Sequence, residues 1–255
     1  MAGRPFAVKA LATAVVDGRD GAMTIKDVRS EPPYTLRHSG ARLLLVGSSA
    51  APVGGDELRL QLVVEPMSVA RVGTAAATIV WPGPHGERSS TRHEFDVGAD
   101  AHLDWEPCPT VSVAGSDHRS YTLIRLAPGA TCRIVDELAL GREREPSGML
   151  EASVRVERDG QPIVHHRERF GPEVAGWGST AAVGQARFVH QEFIVGIDAG
   201  GPRCVVDHTC SAAWLPMAPD VVAVLAVGID RPSVRAALAE LGAVGSSVSG
   251  RSGMV

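Results

Sequence analysis

The sequence predicts a mainly β fold, short strands stacked in layers and followed by one C-terminal helix. Three observations carry this. Leu58, Leu60 and Leu62 alternate with Arg59, Gln61 and Val63 after a Gly54-Gly55-Asp56 turn. That period of two puts the leucines on one face of a strand. The stretch Val64-Glu65-Pro66-Met67-Ser68-Val69-Ala70-Arg71-Val72 is echoed sixty-two positions on, by Leu126-Ala127-Pro128-Gly129-Ala130-Thr131-Cys132-Arg133-Ile134. Proline, a small residue, arginine and a β-branched residue recur in register, and repetition at a fixed spacing is the mark of stacked β-layers. Finally, 28 glycines and 17 prolines are spread along 255 residues, as many short strands with many turns require.

Taken in order, residues 6–16 read as a first strand ending at the Asp17-Gly18 turn, and residues 21–25 open a second. Pro32-Pro33 forces an extended segment before Tyr34. Ala41 to Val46 reads as a strand covered on both faces, and Ser48 to Gly54 as a small-residue loop. Glu65 to Ser68 breaks the leucine strand, and a second run follows from Val69 to Trp81. Beyond the Pro82–Gly86 loop, Glu87 to Val97 is a more polar strand. In residues 101–106, Ala101, Leu103 and Trp105 face one way and His102, Asp104 and Glu106 the other. Val111 to Leu126, broken near Gly115, leads into the second proline unit and then the run Cys132 to Leu140. Val154–Arg158 and Pro162–His166 flank Asp159-Gly160-Gln161, a hairpin signal. Arg187 to Ile197 and Val221 to Gly228 are the last strands. Asp230 then caps a helix at about 231–241, with Pro232 in its first turn and Gly242 beyond its end. Val234, Ala237, Leu238 and Leu241 give it one apolar face. The chain is read as one domain over 1–243 with a flexible tail at 244–255.

Hydrophobic residues at 44% exclude a disordered chain, and aromatics at 4% leave the core to Val, Leu, Ile and Ala. A net charge of −4 argues against nucleic acid, and four cysteines in so long a chain point to a reducing compartment. The run Ala10 to Val16 is short for a signal peptide, and Val221 to Ile229 is far too short to span a bilayer. A soluble, cytoplasmic protein without a membrane partner is expected.

Nucleotide-binding glycine motifs, zinc-protease motifs and nucleophile elbows are absent from the sequence. The most metal-like cluster is Cys204 to Cys210. As a strand it would place Cys204 and Cys210 ~20 Å apart, while His208 and Cys210, alternate residues, could share an ion. Against this stands the ordinary role of cysteine as a small core hydrophobe. The face bearing His102, Asp104 and Glu106 is a candidate waypoint for a borderline divalent ion such as nickel, or simply a solvated face. His165 and His166 are adjacent, so they point to opposite faces, and a surface role fits them best. Asp136 and Glu137 interrupt an interior strand, so one of them points inward and needs a partner, hydrogen bonds or water. Either Arg133 pairs with it, or the interior holds a polar path.

At this point the order of motifs resembles the UreD (UreH) family of urease accessory proteins. The residues that carry the resemblance are Gly54-Gly55-Asp56, Thr74-Ala75-Ala76-Ala77-Thr78, Leu103-Asp104-Trp105-Glu106-Pro107, Leu126 to Ala130, and Leu138-Ala139-Leu140-Gly141-Arg142. The hairpin Val156 to Pro162, followed by Arg167-Glu168-Arg169, completes the series. The resemblance implies a β-helix-like stack of short strands with a small helical part, and a cytoplasmic, non-enzymatic chaperone of urease maturation. Its implied partners are UreF, the GTPase UreG and urease apoprotein, with higher oligomers formed through UreF. No tightly bound cofactor is implied, only transient nickel passing through an interior water-filled path that Thr78, Asp136 and Glu168 would line or gate. Ile79 and Cys108 depart from the family's usual lysine and glutamine. Two other readings compete: a β-helix enzyme acting on carbohydrate, which needs clustered acids in an open groove, and a metal-storage protein using Cys204, His208 and Cys210.

Overall fold

The computed structural model describes residues 7–19 and 23–243. In chain order the described elements begin with β1 (Lys9–Asp17), β2 (Thr24–Ser30), β3 (Tyr34–Ser39), β4 (Arg42–Gly47), β5 (Glu57–Val64) and β6 (Val69–Thr74). They continue with β7 (Thr78–Val80), β8 (Ser89–Val97), β9 (His102–Trp105), β10 (Thr110–Ser112), β11 (Asp117–Leu126) and β12 (Thr131–Ala139). The last are β13 (Met149–Arg158), β14 (Gln161–Phe170), β15 (Phe188–Val195), β16 (Arg203–Val206), β17 (Cys210–Ala218), β18 (Val221–Gly228) and α1 (Arg231–Glu240).

The parallel strands β1, β5, β8, β11 and β13 form the middle of one sheet, with β2 and β14 antiparallel at its edges. In the facing sheet β4, β6, β9 and β12 run parallel. β3 extends that sheet at one side and β15, β18, β17 and β16 at the other. β7 and β10 make a short third side that joins β12. The chain therefore winds from β5 to β6, β8 to β9 and β11 to β12, coil upon coil, as a β-solenoid. Period-two alternation turns Leu58, Leu60, Leu62 and Val64 inward against Leu103 and Trp105, and this apolar contact between sheets is the main core.

The repeat is finer than its sixty-two-residue spacing suggests. Leu58 pairs with Thr91, and Thr91 with Ser120, so the echo spans two coils. The hidden middle copy keeps the turn without the proline. Val69 and Thr131 both pair with His102. Two residues before each of these three, Met67, Asp100 and Gly129 share a left-handed backbone, with φ of 60°, 54° and 73°.

Several expectations are corrected. In β4 only alternate residues, Leu43 and Leu45, are fully buried, because the outer side of that strand is not covered. The run Val69–Trp81 splits into β6 and β7. Residues 204–210 are not one strand: β16 and β17 form a hairpin, turned by the Asp207 carboxylate, whose Oδ1 accepts from the Thr209 and Cys210 amides at 2.6 and 2.8 Å. The helix forms as its caps require, with the Ser233 amide donating to Asp230 Oδ1 at 2.8 Å. Its Val234, Ala237, Leu238 and Leu241 pack on Trp214, Val222 and Val224. The tail at 244–255 and the first residues of the two expected opening strands (Phe6; Gly21 and Ala22) lie outside the described residues. No described helix is long and apolar enough to cross a membrane.

Candidate functional site

The inward faces of β8 and β11 change character along their length. Phe95 and Val97, like Ile124 and Leu126, belong to the apolar core, but Ser89, Thr91 and His93, and likewise His118, Ser120 and Thr122, occupy the same faces further back. Inter-sheet packing is therefore dry at one end and polar at the other. At the polar end lies a cavity of about 200 Å³ lined by Thr78, Thr91, His93, Ser120, Thr122 and Asp136. His118 is held by hydroxyls on both ring nitrogens, Ser89 at 2.9 Å and Thr91 at 3.2 Å. Burial pushes its pKa down to about 3, helped by His93, and burial alone takes His93 down to about 4. Both imidazoles are neutral, and His93 lies 5.0 Å from the Trp105 ring.

Asp136 enters this cavity from the middle of β12. Desolvation raises its carboxyl to about 7, a shift that His190 and His166 oppose and that Glu137 and Glu168 reinforce. Its register partner across the antiparallel ladder is Gln191 of β15, 1% exposed. Gln191 Nε2 donates in turn to Glu168 Oε2 on β14. Glu168 Oε1 is 3.3 Å from His166 Nε2, and Glu168 lines a second, more open cavity of about 420 Å³ with Phe170, Trp177, Val183 and His190. Asp136, Gln191 and Glu168 thus link the two cavities. Along that line Gln191 Oε1 is buried with no hydrogen-bond partner among the described residues. Buried polar atoms without partners are rare.

The structure brings Thr78 and Asp136 to one cavity and joins Glu168 to them through Gln191. The other candidates sit elsewhere. Arg133, expected as a partner for Asp136 or Glu137, instead donates to Glu192 at 2.6 Å, Asp104 at 3.0 Å and Glu106 at 3.3 Å. The face of His102, Asp104 and Glu106 is accordingly an arginine-centred ion cluster, with His102 Nδ1 2.8 Å from Thr131 Oγ1. His208 is exposed in the β16–β17 turn, Cys204 is exposed on β16, and Cys210 is buried beneath α1. A hairpin, and not the straight strand that the sequence suggested, carries these three residues. Among the described residues no three His, Cys, Asp or Glu converge to hold a metal. Of the adjacent pair expected at the surface, His165 is exposed while His166 is half-buried, its ring centroid 5.3 Å from that of Phe193. Sequence reasoning missed His93, His118, His166 and Gln191. The alternation of Ser89, Thr91 and His93 was the signal available for the first.

Comparison with known proteins places these features. The chain matches the family model described as UreD urease accessory protein over residues 9–253. It is similar to Urease accessory protein UreD 2 of Saccharopolyspora erythraea, 35% identical over 193 residues that cover 74% of this chain and 68% of that one. It is 34% identical over 236 residues to Urease accessory protein UreD 3 of Streptomyces griseus, covering 88% of this chain and 91% of that one. With Urease accessory protein UreD of Parafrankia sp. it shares 32% identity over 250 residues, 88% of this chain and 84% of the other.

Proposed function

The chain belongs to the UreD family of urease accessory proteins and so has a role in urease maturation; from that premise we propose that it is a non-enzymatic scaffold that conducts nickel through its interior. In this reading it works in the cytoplasm, binds UreF, assembles with UreG, and docks on urease apoprotein. The observation that supports it is the polar line, half-buried at its ends and fully buried at Gln191, from the Thr78 cavity through Asp136 and Gln191 to Glu168. A conduit must attract a divalent cation yet release it. Hydroxyls and an amide carbonyl offer neutral oxygen donors, and a carboxyl poised near neutrality exchanges its proton for an arriving cation, the proton passing to water. A storage role needs Cys204, His208 and Cys210 to act together, whereas Cys210 is buried beneath α1 and the other two are exposed.

The test is urease maturation in cells that express this chain with urease, UreF and UreG. Asp136→Ala and Glu168→Ala should each lower the nickel content of purified urease about tenfold, the scale on which partners of a metal route act. Co-purification of UreF should be unchanged. Full nickel content in both variants would refute the conduit.

A further inference from the structure

Behind the interior line runs a second row of charges, which meets the conduit only at His190, where that residue lines the second cavity. On β12 Asp136 faces the cavity, whereas Glu137 faces α1. On β15 Gln191 and His190 are likewise neighbours, and the register pairs Asp136 with Gln191 and Glu137 with His190. Arg231, in the first turn of α1, donates Nε and Nη2 to Glu137 Oε2 at 2.9 and 2.6 Å. Glu137 Oε1 lies 3.5 Å from His190 Nδ1, and His190 Nε2 lies 3.3 Å from Glu192 Oε2. Arg133 completes the row through Glu192 to Asp104 and Glu106 on the β9 side. Glu137, His190 and Glu192 are only 3%, 4% and 2% exposed.

Charges this deep are costly to leave unpaired, so the row resists any movement that parts its members. Burial alone would raise the Glu137 carboxyl, yet His190 and Arg231 hold it below its ordinary value. Asp136 is the next residue on the same strand. A displacement of β12 that freed Glu137 would carry Asp136 out of line with Gln191. We propose that Arg231, acting through Glu137 and His190, is a positioning residue that holds Asp136 and Gln191 on the interior path and so couples the C-terminal helix to cation passage. This rests on the conduit reading.

The experiment is a mutant cycle in the co-expressed maturation assembly, read as nickel per purified urease. Arg231→Met should lower loading, and Arg231→Lys, which keeps the charge but not the two-nitrogen contact, should restore part of it. Added to Asp136→Asn, Arg231→Met should change loading less than about twofold, within the scatter of independent effects. A purely structural role would lower loading in both backgrounds alike. Normal loading in Arg231→Met, or its full decrement on top of Asp136→Asn, overturns the proposal and leaves the conduit standing. Normal loading in Asp136→Asn alone overturns the conduit and the proposal together. Should Arg231→Met not assemble, Glu137→Gln, which removes the charge that Arg231 holds, takes its place in the same cycle under the same criteria.

Discussion

His118 is sealed between Ser89 and Thr91, and burial holds both it and His93 far below the ordinary imidazole value, at about 3 and about 4. A pKa depressed by folding means that the unfolded chain binds the extra proton. The stability these residues contribute is therefore complete above about pH 6.5 and is lost as pH falls through their folded values, at about 1.4 kcal/mol per unit for each. Thermal melts between about pH 7.5 and about pH 4.5 should show the decline, and His118→Gln should flatten it by one imidazole's share. The variant should also melt lower at neutral pH, having lost packing and a hydrogen bond. An unchanged slope in His118→Gln would show that the folded protein lets this ring take up a proton as readily as the unfolded chain does. At this scale the sequence shows only anomalies. A carboxylate in an apolar run marks Asp136 without any structure, and the family resemblance supplied Thr78 and Glu168. Gln191 carries no such mark. Its importance depends on lying opposite Asp136, and the register between β12 and β15 is a relation between distant strands.

At the scale of elements, three coils turn the same corner with different residues. Gly129 adopts its left-handed backbone freely, and Asp100 tolerates one, but Met67 does so at a steric cost and with its side chain 69% exposed. Met67→Gly should therefore stabilise the protein, on the order of 0.5–1 kcal/mol after the glycine's extra unfolded-state entropy is allowed for. Chemical denaturation would measure it, and a loss of stability would show that the exposed methionine makes contacts worth more than the strain. This turn also explains what was legible. Two copies announced themselves through Pro66 and Pro128, while the middle one, built on Asp100, has no proline and passed unseen. The β13–β14 hairpin was legible from Asp159 and Gly160, both left-handed, as was α1 from its capping aspartate. The β16–β17 hairpin was not, since its turn uses the Asp207 side chain in place of glycine or proline.

In the whole molecule, strand alternation tells which face is inward but not which strand lies alongside. Nothing local in β1 specifies β5 as its parallel neighbour, nor that the second sheet outgrows the first through β15, β18, β17 and β16. That asymmetry governs rigidity. In a solenoid each coil leans on the next, so stability concentrates where strands have neighbours on both sides. β8 and β11 lie between paired strands, and β12 is flanked by β9 and β15. β2 and β16 are edges with mostly exposed side chains. Amide exchange should therefore be slowest in β8, β11 and β12, opening only with global unfolding, and fastest in β2 and β16. Peptide-resolved hydrogen–deuterium exchange measures the order directly. Slow exchange in β12 and β15 would mean that the walls around Asp136 stay fixed, so that in the proposed conduit side chains and water would do the moving. Exchange in β12 as fast as in β2 would instead mean a breathing wall, and the charge row behind Glu137 would not be the lock that its burial and pairing indicate.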